Sequence, residues 1–269
     1  MAEGRRARVA TSAPRRSARR LAPPRLDAHA ALFLDIDGTL LELALTPDRV
    51  RVDGGITELL PALASHLGGA LALVTGRTIA DADRLFPGLG LPVAGQHGVE
   101  RRAADGTIHR HHLPPPGLGR LRANLERLVA RYEGVLLEDK GGTLALHYRQ
   151  APGLASHVHK TLRAEMAAAA RGRTWRLQSG KGIVEVRPDG RDKGTALDDY
   201  LREDPFRDRL PVFVGDDRTD EFGFAAAARH GGWAVKVGPG PTDARYRLPN
   251  VAAVRHWLAA AFTVTDPDS

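Results

Sequence analysis

Ala31-Leu32-Phe33-Leu34-Asp35-Ile36-Asp37-Gly38-Thr39 is the stretch on which the fold depends. Four apolar residues without alternation describe a strand buried on both faces, and such strands belong to parallel sheets covered by helices. Two aspartates follow at its C-terminal end, where an open parallel sheet forms its ligand crevice. Outward from this point the same rhythm repeats. Ile56, Leu59, Leu60, Leu63 and Leu67 recur at helical spacing until Gly68-Gly69, which stops the helix. Residues 70–74 read as a second apolar strand ending at Thr75-Gly76-Arg77, residues 79–86 as a helix and residues 91–94 as a third strand. The alternation predicts an α/β protein with a Rossmann-like parallel sheet.

Beyond Gly95-Gln96-His97-Gly98 the rhythm changes. A polar, histidine-bearing stretch and Pro114-Pro115-Pro116 lead to a helix carrying Leu118, Leu121, Leu125, Leu128 and Tyr132. Strands are expected at 135–137 and 143–149, where Leu144, Leu146 and Tyr148 alternate with Ala145, His147 and Arg149. A helix at 154–170 and strands at 174–178 and 182–187 complete a block of α+β character. The first rhythm then resumes, with a helix from Lys193, a strand at 211–214 before Gly215-Asp216-Asp217, a helix through 225–228, a strand at 232–237, and a last helix with Val251, Val254 and Leu258. The expected organisation is a core of residues 27–98 and 189–262, an inserted cap domain of 99–188, and tails at 1–26 and 263–269.

Composition narrows the function classes. The chain of 269 residues is 42% hydrophobic and 26% charged, ordinary values for a globular protein. Cysteine is absent, which excludes disulfides, thiolate zinc sites and a cysteine nucleophile. The net charge of +7 suggests nucleic acid until it is located. Residues 1–26 hold eight arginines against one acid, Glu3, and so carry all of it. That segment lacks periodic apolar residues and is expected to be a disordered tail outside the chemistry, so nucleic-acid binding is not expected. No apolar run approaches the roughly 20 residues that cross a bilayer, and no short apolar stretch follows the basic start as in a secretory signal. No membrane association and a cytoplasmic location are therefore expected.

Several polar residues fall at strand or helix ends of the same sheet: Asp35 and Asp37, Thr75, Lys193, and Asp216, Asp217 and Asp220. Carboxylates that converge at one sheet edge need a cation, and hard oxygen ligands that leave room for water and phosphate suit Mg2+. Physical need then suggests roles. Asp35 can attack phosphorus and form an acyl phosphate. Asp37, two residues on, can protonate the leaving oxygen and later deprotonate water. Gly38 allows the chain to turn, and Thr39 and Thr75 offer donors to phosphate. Lys193 brings positive charge, and Asp216 is the expected third metal ligand beside Asp35 and Asp37, with Asp217 and Asp220 orienting it or Lys193. Each motif alone has an ordinary alternative. Asp-Gly is a turn pair, Gly215-Asp216-Asp217 can cap a helix, and a single lysine is usually solvated.

Together the segments resemble the four signature motifs of the haloacid dehalogenase (HAD) superfamily: Asp35-Ile36-Asp37-Gly38-Thr39-Leu40, Thr75, Lys193, and Gly215-Asp216-Asp217 with Asp220. Within it, the chain resembles the trehalose-6-phosphate phosphatase family over about residues 30–260. The text that carries this is Val74-Thr75-Gly76-Arg77, Gly95-Gln96-His97-Gly98-Val99-Glu100, Glu138-Asp139-Lys140, His147-Tyr148-Arg149, Gly182-Ile183-Val184-Glu185-Val186-Arg187-Pro188 and Gly215-Asp216-Asp217-Arg218-Thr219-Asp220-Glu221. The resemblance implies magnesium-dependent hydrolysis of a sugar phosphate, trehalose 6-phosphate, through an aspartyl phosphate, with sugar recognition by the cap. Glu138, Lys140 and Glu185 match the residues that contact the glucose units; Asp37, Gly38, Thr39, Arg77 and His97 complete the implied substrate set. Other sugar phosphates, such as sucrose 6-phosphate, and an inactive partner of a synthase remain as alternatives. His97 and Arg187 can close the site or pack the hinge. His109, His111 and His112 are not expected to bind metal. The arginine tail has no counterpart among the motifs, which leaves a trehalose-6-phosphate synthase or an anionic surface as its candidate partner.

Overall fold

The computed structural model describes residues 21–44, 50–111, 117–169, 175–180 and 182–262. The expectations for residues 1–20, His112, Pro114-Pro115-Pro116 and 263–269 lie outside these. Residues 31–34, together with Ala30, form β1 (Ala30–Leu34), and all five of its residues are buried. It sits at the centre of an eight-stranded sheet. Going one way from β1 come β2 (Leu71–Val74), β3 (Val93–Gly95), β4 (Glu100–Arg102) and β5 (Ile108–Arg110); going the other, β10 (Leu210–Gly215), β11 (Trp233–Val237) and β12 (Tyr246–Leu248). The strands from β12 to β3 are parallel, and β4 and β5 are antiparallel.

Because β1 is covered on both faces, its side chains divide between two cores. Leu32 and Leu34 join Ile56, Leu60 and Leu63 of α1 (Gly54–His66) and Val254 and Leu258 of α7 (Val251–Ala259). Ala31 and Phe33 meet Tyr200, Phe206, Phe213 and Phe224, carried in part by α5 (Lys193–Tyr200) and α6 (Asp220–Arg229). The remaining core helix is α2 (Ile79–Leu85), whose Thr78 and Asp81 form a capping box. The chain leaves β1 toward β2 and later returns to its other side at β10, so the order reverses between them. That reversal is the switch point at which such sheets bind ligands.

A second sheet of four strands, in the order β6 (Leu136–Asp139), β7 (Leu144–His147), β9 (Ile183–Pro188), β8 (Trp175–Gly180), forms the cap. One face packs under α3 (Leu118–Val129) and α4 (Ala155–Ala169), through Leu121, Leu125, Val158 and Leu162 on Leu144, Leu146, Val184 and Val186. The other face carries the alternate residues. Register places Glu138, Ala145, Glu185 and Gln178 in one row across all four strands.

The structure departs from the sequence reading at two boundaries. Residues 100–110 do not belong to the inserted layer: β4 and β5 extend the large sheet as an antiparallel edge. Their polar residues disguised them, since an edge hairpin needs no apolar face on its outer side. Arg101 ties this edge to the core through a double ion pair with Glu203 at 2.6 and 2.7 Å, its guanidinium lying over the Tyr200 ring. The described end of the expected tail is also fastened down. Leu21 accepts a bond from the Arg247 amide beside β12, Pro24 accepts one from the Trp257 indole, and Leu26 is buried. β12, which has only three residues, was not anticipated. Among the described residues no helix is long and apolar enough to cross a membrane.

Candidate active site

Asp35 follows β1 and Asp216 follows β10, and β1 and β10 pair directly, so the switch point sets the two carboxylates side by side. Asp220, at the start of α6, joins them: one oxygen from each of the three lies within 4.8 Å of the others. Lys193, the first residue of α5, reaches into this group with Nζ 2.7 Å from Asp35 Oδ1 and 2.6 Å from Asp220 Oδ1. The second Asp220 oxygen accepts the Asp217 amide at 2.8 Å, which fixes the loop after β10. Thr39 places its hydroxyl 3.4 Å from Asp35 Oδ2. Gly38 has φ +82°, and a Cβ there would stand 2.4 Å from Asp216 Oδ2. Only glycine lets the turn after β1 approach Asp216 so closely.

Burial pushes the Asp35 carboxyl well above its ordinary value; Lys193 works against this, and the nearby Asp220 and Asp216 charges add to it. Burial acts to lower the Lys193 ammonium, but Asp220 and Asp35 outweigh it and hold it above its usual value. The Lys193 ammonium thus contacts two of the three buried carboxylates, Asp35 and Asp220, and the cluster is a donor set made of hard oxygen alone. Such a group fits a divalent cation.

The neighbouring strand tip supplies the other motif residues. Thr75 follows β2, and its hydroxyl oxygen accepts the Arg77 amide at 3.1 Å, which leaves its proton to donate. Arg77 holds Asp37 by two parallel bonds of 2.7 Å. The sequence reading expects Asp37 beside Asp35 and Asp216 as a metal ligand, with Asp217 and Asp220 as orienting residues. The Asp37 carboxylate is drawn to the Arg77 fork, and the third side chain of the cluster is that of Asp220. Asp217 also stands apart, with Oδ2 3.4 Å from where a Cβ on Gly180 of the cap would lie.

Above this floor the cap closes a cavity of about 180 Å³, smaller than the roughly 300–1,000 Å³ of many ligand sites. The cavity is small because cap side chains touch the core directly. Lys140 Nζ donates to Gly76 O at 2.7 Å and to Glu185 Oε1 at 3.0 Å. His97, from the core, lies with Nε2 3.1 Å from Glu185 Oε2. Burial acts to raise the Glu185 carboxyl, but Lys140 and His97 hold it well below the usual carboxylate range. Burial pushes His97 down to about 4 against the pull of Glu185. Glu138 accepts from His147 at 2.7 Å; burial raises its carboxyl, and His147 and Lys140 more than offset this.

Four residues near this site receive no role in the sequence reading. Gln178, His147 and Arg149 line the cavity, and Gln178 Nε2 stands 3.0 Å from His97 Nε2. Period-2 alternation placed His147 and Arg149 on the face away from Leu144 and Leu146, a usable signal; Gln178 needed the register. Lys236 is buried and donates to the backbone oxygens of Asp216 and Val237. A lysine inside the apolar strand Trp233-Ala234-Val235-Lys236-Val237 was its visible sign. Arg187 is buried in the cap and does not line the cavity. His109 and His111 stack on each other away from the carboxylates.

A parallel sheet that gathers acidic strand tips and a lysine at its switch point, beneath an α+β cap, defines a capped enzyme of the haloacid dehalogenase type. Solved structures share this fold. The C-terminal domain of Candida albicans trehalose-6-phosphate phosphatase superposes with a TM-score of 0.75 at 20% identity, over 87% of this chain and 92% of that one. A haloacid dehalogenase-like hydrolase from Bacteroides thetaiotaomicron gives 0.60 at 15% identity, over 87% and 99%. The chain belongs to the trehalose-phosphatase family, whose model matches residues 33–252. It is 43% identical over 235 residues to the trehalose-6-phosphate phosphatase of Escherichia coli (strain K12), covering 87% of each.

Proposed function

We propose that this chain hydrolyses trehalose 6-phosphate to trehalose and inorganic phosphate with magnesium, the last step in making trehalose. The observation that carries the reading is the cluster of Asp35, Asp216 and Asp220 with Lys193, facing a cap row that presents Glu138 and Glu185 with Lys140 beside it. Asp35 and Asp216 would hold a magnesium ion, with Asp220 in the same cluster, and the ion would supply positive charge to the phosphoryl oxygens.

Asp35 is the nucleophile. One carboxylate oxygen is anchored by Lys193, and the other, facing Thr39, attacks phosphorus. The bond from phosphorus to the sugar oxygen breaks, and the leaving oxygen takes a proton from Asp37. Asp37 then removes a proton from water, which attacks the acyl phosphate; the bond between phosphorus and Asp35 breaks, and phosphate leaves. Proton transfer of this kind contributes about 10²- to 10⁴-fold. Arg77 orients Asp37 between the two steps, and Thr75 and Lys193 hold the phosphate. Glu138, Lys140, Glu185 and His97 hydrogen-bond the sugar hydroxyls. Charged groups left unpaired by a wrong ligand discriminate strongly, which suits a neutral disaccharide. In this reading residues 27–111 with 189–262 form the catalytic core, and 117–187 the cap.

Phosphate release from trehalose 6-phosphate, sucrose 6-phosphate and glucose 6-phosphate, with magnesium and with chelator, tests the proposal. Trehalose 6-phosphate should be the preferred substrate, chelator should stop release, and Asp35→Asn should abolish it. A preference for glucose 6-phosphate, or full activity of Asp35→Asn, overturns it.

A further inference from the structure

After β3 the backbone does something unusual. Gln96 and His97 both adopt left-handed angles, φ 49° and 57°, a region that disfavours residues with a Cβ. What the conformation secures is a brace. The Gln96 amide donates to Arg77 O at 2.7 Å and the His97 amide to Thr75 O at 2.8 Å, so the pair supports the phosphate-side loop from behind. The buried Gln96 side chain reaches in turn to the cap. Its Nε2 donates to Lys140 O at 3.0 Å and lies 3.4 Å from Glu100 Oε1. Two acceptors around the NH2 group fix the orientation of the amide, so Oε1 faces Thr143, whose hydroxyl donates to it at 3.0 Å.

Thr143 is fully buried and follows the turn between β6 and β7. The same hydroxyl lies 3.3 Å from Glu185 Oε1, the oxygen that also accepts Lys140 Nζ at 3.0 Å. A single side chain therefore stands between an amide of the core and the carboxylate at the centre of the cap row. We propose that Gln96 and Thr143 are positioning residues that hold the Lys140 and Glu185 pair in register with the Thr75–Arg77 loop, and so set the distance between the sugar and phosphate subsites. The inference rests on the reading that Lys140 and Glu185 bind the sugar.

The one hydroxyl proton of Thr143 is shared between Gln96 Oε1 at 3.0 Å and Glu185 Oε1 at 3.3 Å, so without it Gln96 Oε1 is left buried and unpaired and Glu185 loses its arm of a three-centre hydrogen bond. The carboxylate is then free to pivot about Lys140 and His97. A disaccharide that must meet Glu185 feels this change. An aryl phosphate, which occupies the floor alone, does not.

The test compares wild type, Thr143→Val and Thr143→Ser on trehalose 6-phosphate and p-nitrophenyl phosphate at saturating magnesium. In Thr143→Val, KM for trehalose 6-phosphate should rise about tenfold, the size expected when one buried hydrogen bond is lost. Its kcat/KM for the aryl ester should stay within about twofold, and Thr143→Ser should recover most of the loss, because it keeps the hydroxyl. An unaltered KM in Thr143→Val, equal losses on both esters, or a Thr143→Ser as impaired as Thr143→Val overturns the inference. A wild type that hydrolyses the aryl ester and leaves trehalose 6-phosphate intact overturns the substrate reading and this inference with it; an active wild type with an unaltered Thr143→Val overturns this inference alone.

Discussion

Replacing Lys193 by methionine removes the ammonium that Asp35 and Asp220 share while keeping the length of the side chain. The contacts of 2.7 and 2.6 Å each correspond to an attraction of roughly 6 kcal/mol at an effective dielectric of about 20, most of it offset by the desolvation of the three groups. Removing one partner of such a buried set leaves the others uncompensated and costs about 3–5 kcal/mol. At about 2–4 °C per kcal/mol for a chain of this size, the melting temperature of Lys193→Met should fall by roughly 6–20 °C without magnesium. Catalysis should suffer separately, because the phosphoryl group loses a fixed positive charge; loss of one such preorganised contact lowers kcat by about 10²- to 10³-fold. Circular dichroism melts and phosphate release from trehalose 6-phosphate measure the two effects. A melting temperature within about 2 °C of wild type together with a kcat within about fivefold would refute the shared-ammonium account.

Gly38→Ala should collide with Asp216, because the added carbon would sit 2.4 Å from its carboxylate at a backbone φ of +82°. The magnesium concentration for half-maximal activity should rise about tenfold or more, and an unchanged titration would show that the close approach does not matter. His97 supplies a pH signature. Burial holds its folded value at about 4, below the ordinary 6.5, so the unfolded chain binds the proton more tightly. The neutral ring's contribution is intact above about pH 6.5 and is lost as pH falls through the folded value, by up to about 1.4 kcal/mol per pH unit. Melts of wild type and His97→Asn from pH 7.5 to 4.5 should show the advantage of wild type shrinking toward the acid end; a constant difference would contradict the burial account.

Much of the candidate site is legible in the sequence alone. Asp35, Thr75, Lys193 and Asp216 stand at ends of apolar or amphipathic runs whose periodicity identifies the elements, and parallel strands place their C-terminal tips at one edge. The two faces of β7 could be read in the same way, because Leu144, Leu146 and Tyr148 alternate with Ala145, His147 and Arg149. Residues 100–110 were misassigned because an edge hairpin with one solvated side carries no strong pattern. The docking of Leu21 to Leu26 escaped because a few main-chain and indole bonds, not a periodic face, hold it.

By itself, then, the order of residues determined which elements exist and which polar groups sit at their ends, since both follow from short-range periodicity. Tertiary structure decided how those groups are shared. Asp37 goes to Arg77 and Asp220 to Lys193, although Asp37 lies close in sequence to Asp35 and Asp220 close to Asp216. Gln178 meets His97 across 81 positions, and Thr143 stands between Gln96 and Glu185 at separations of 47 and 42. Partners of that kind are chosen by strand register and by the seating of the cap on the core. Charge and hydrogen-bond geometry then select among the groups brought within reach, and no local pattern records the outcome.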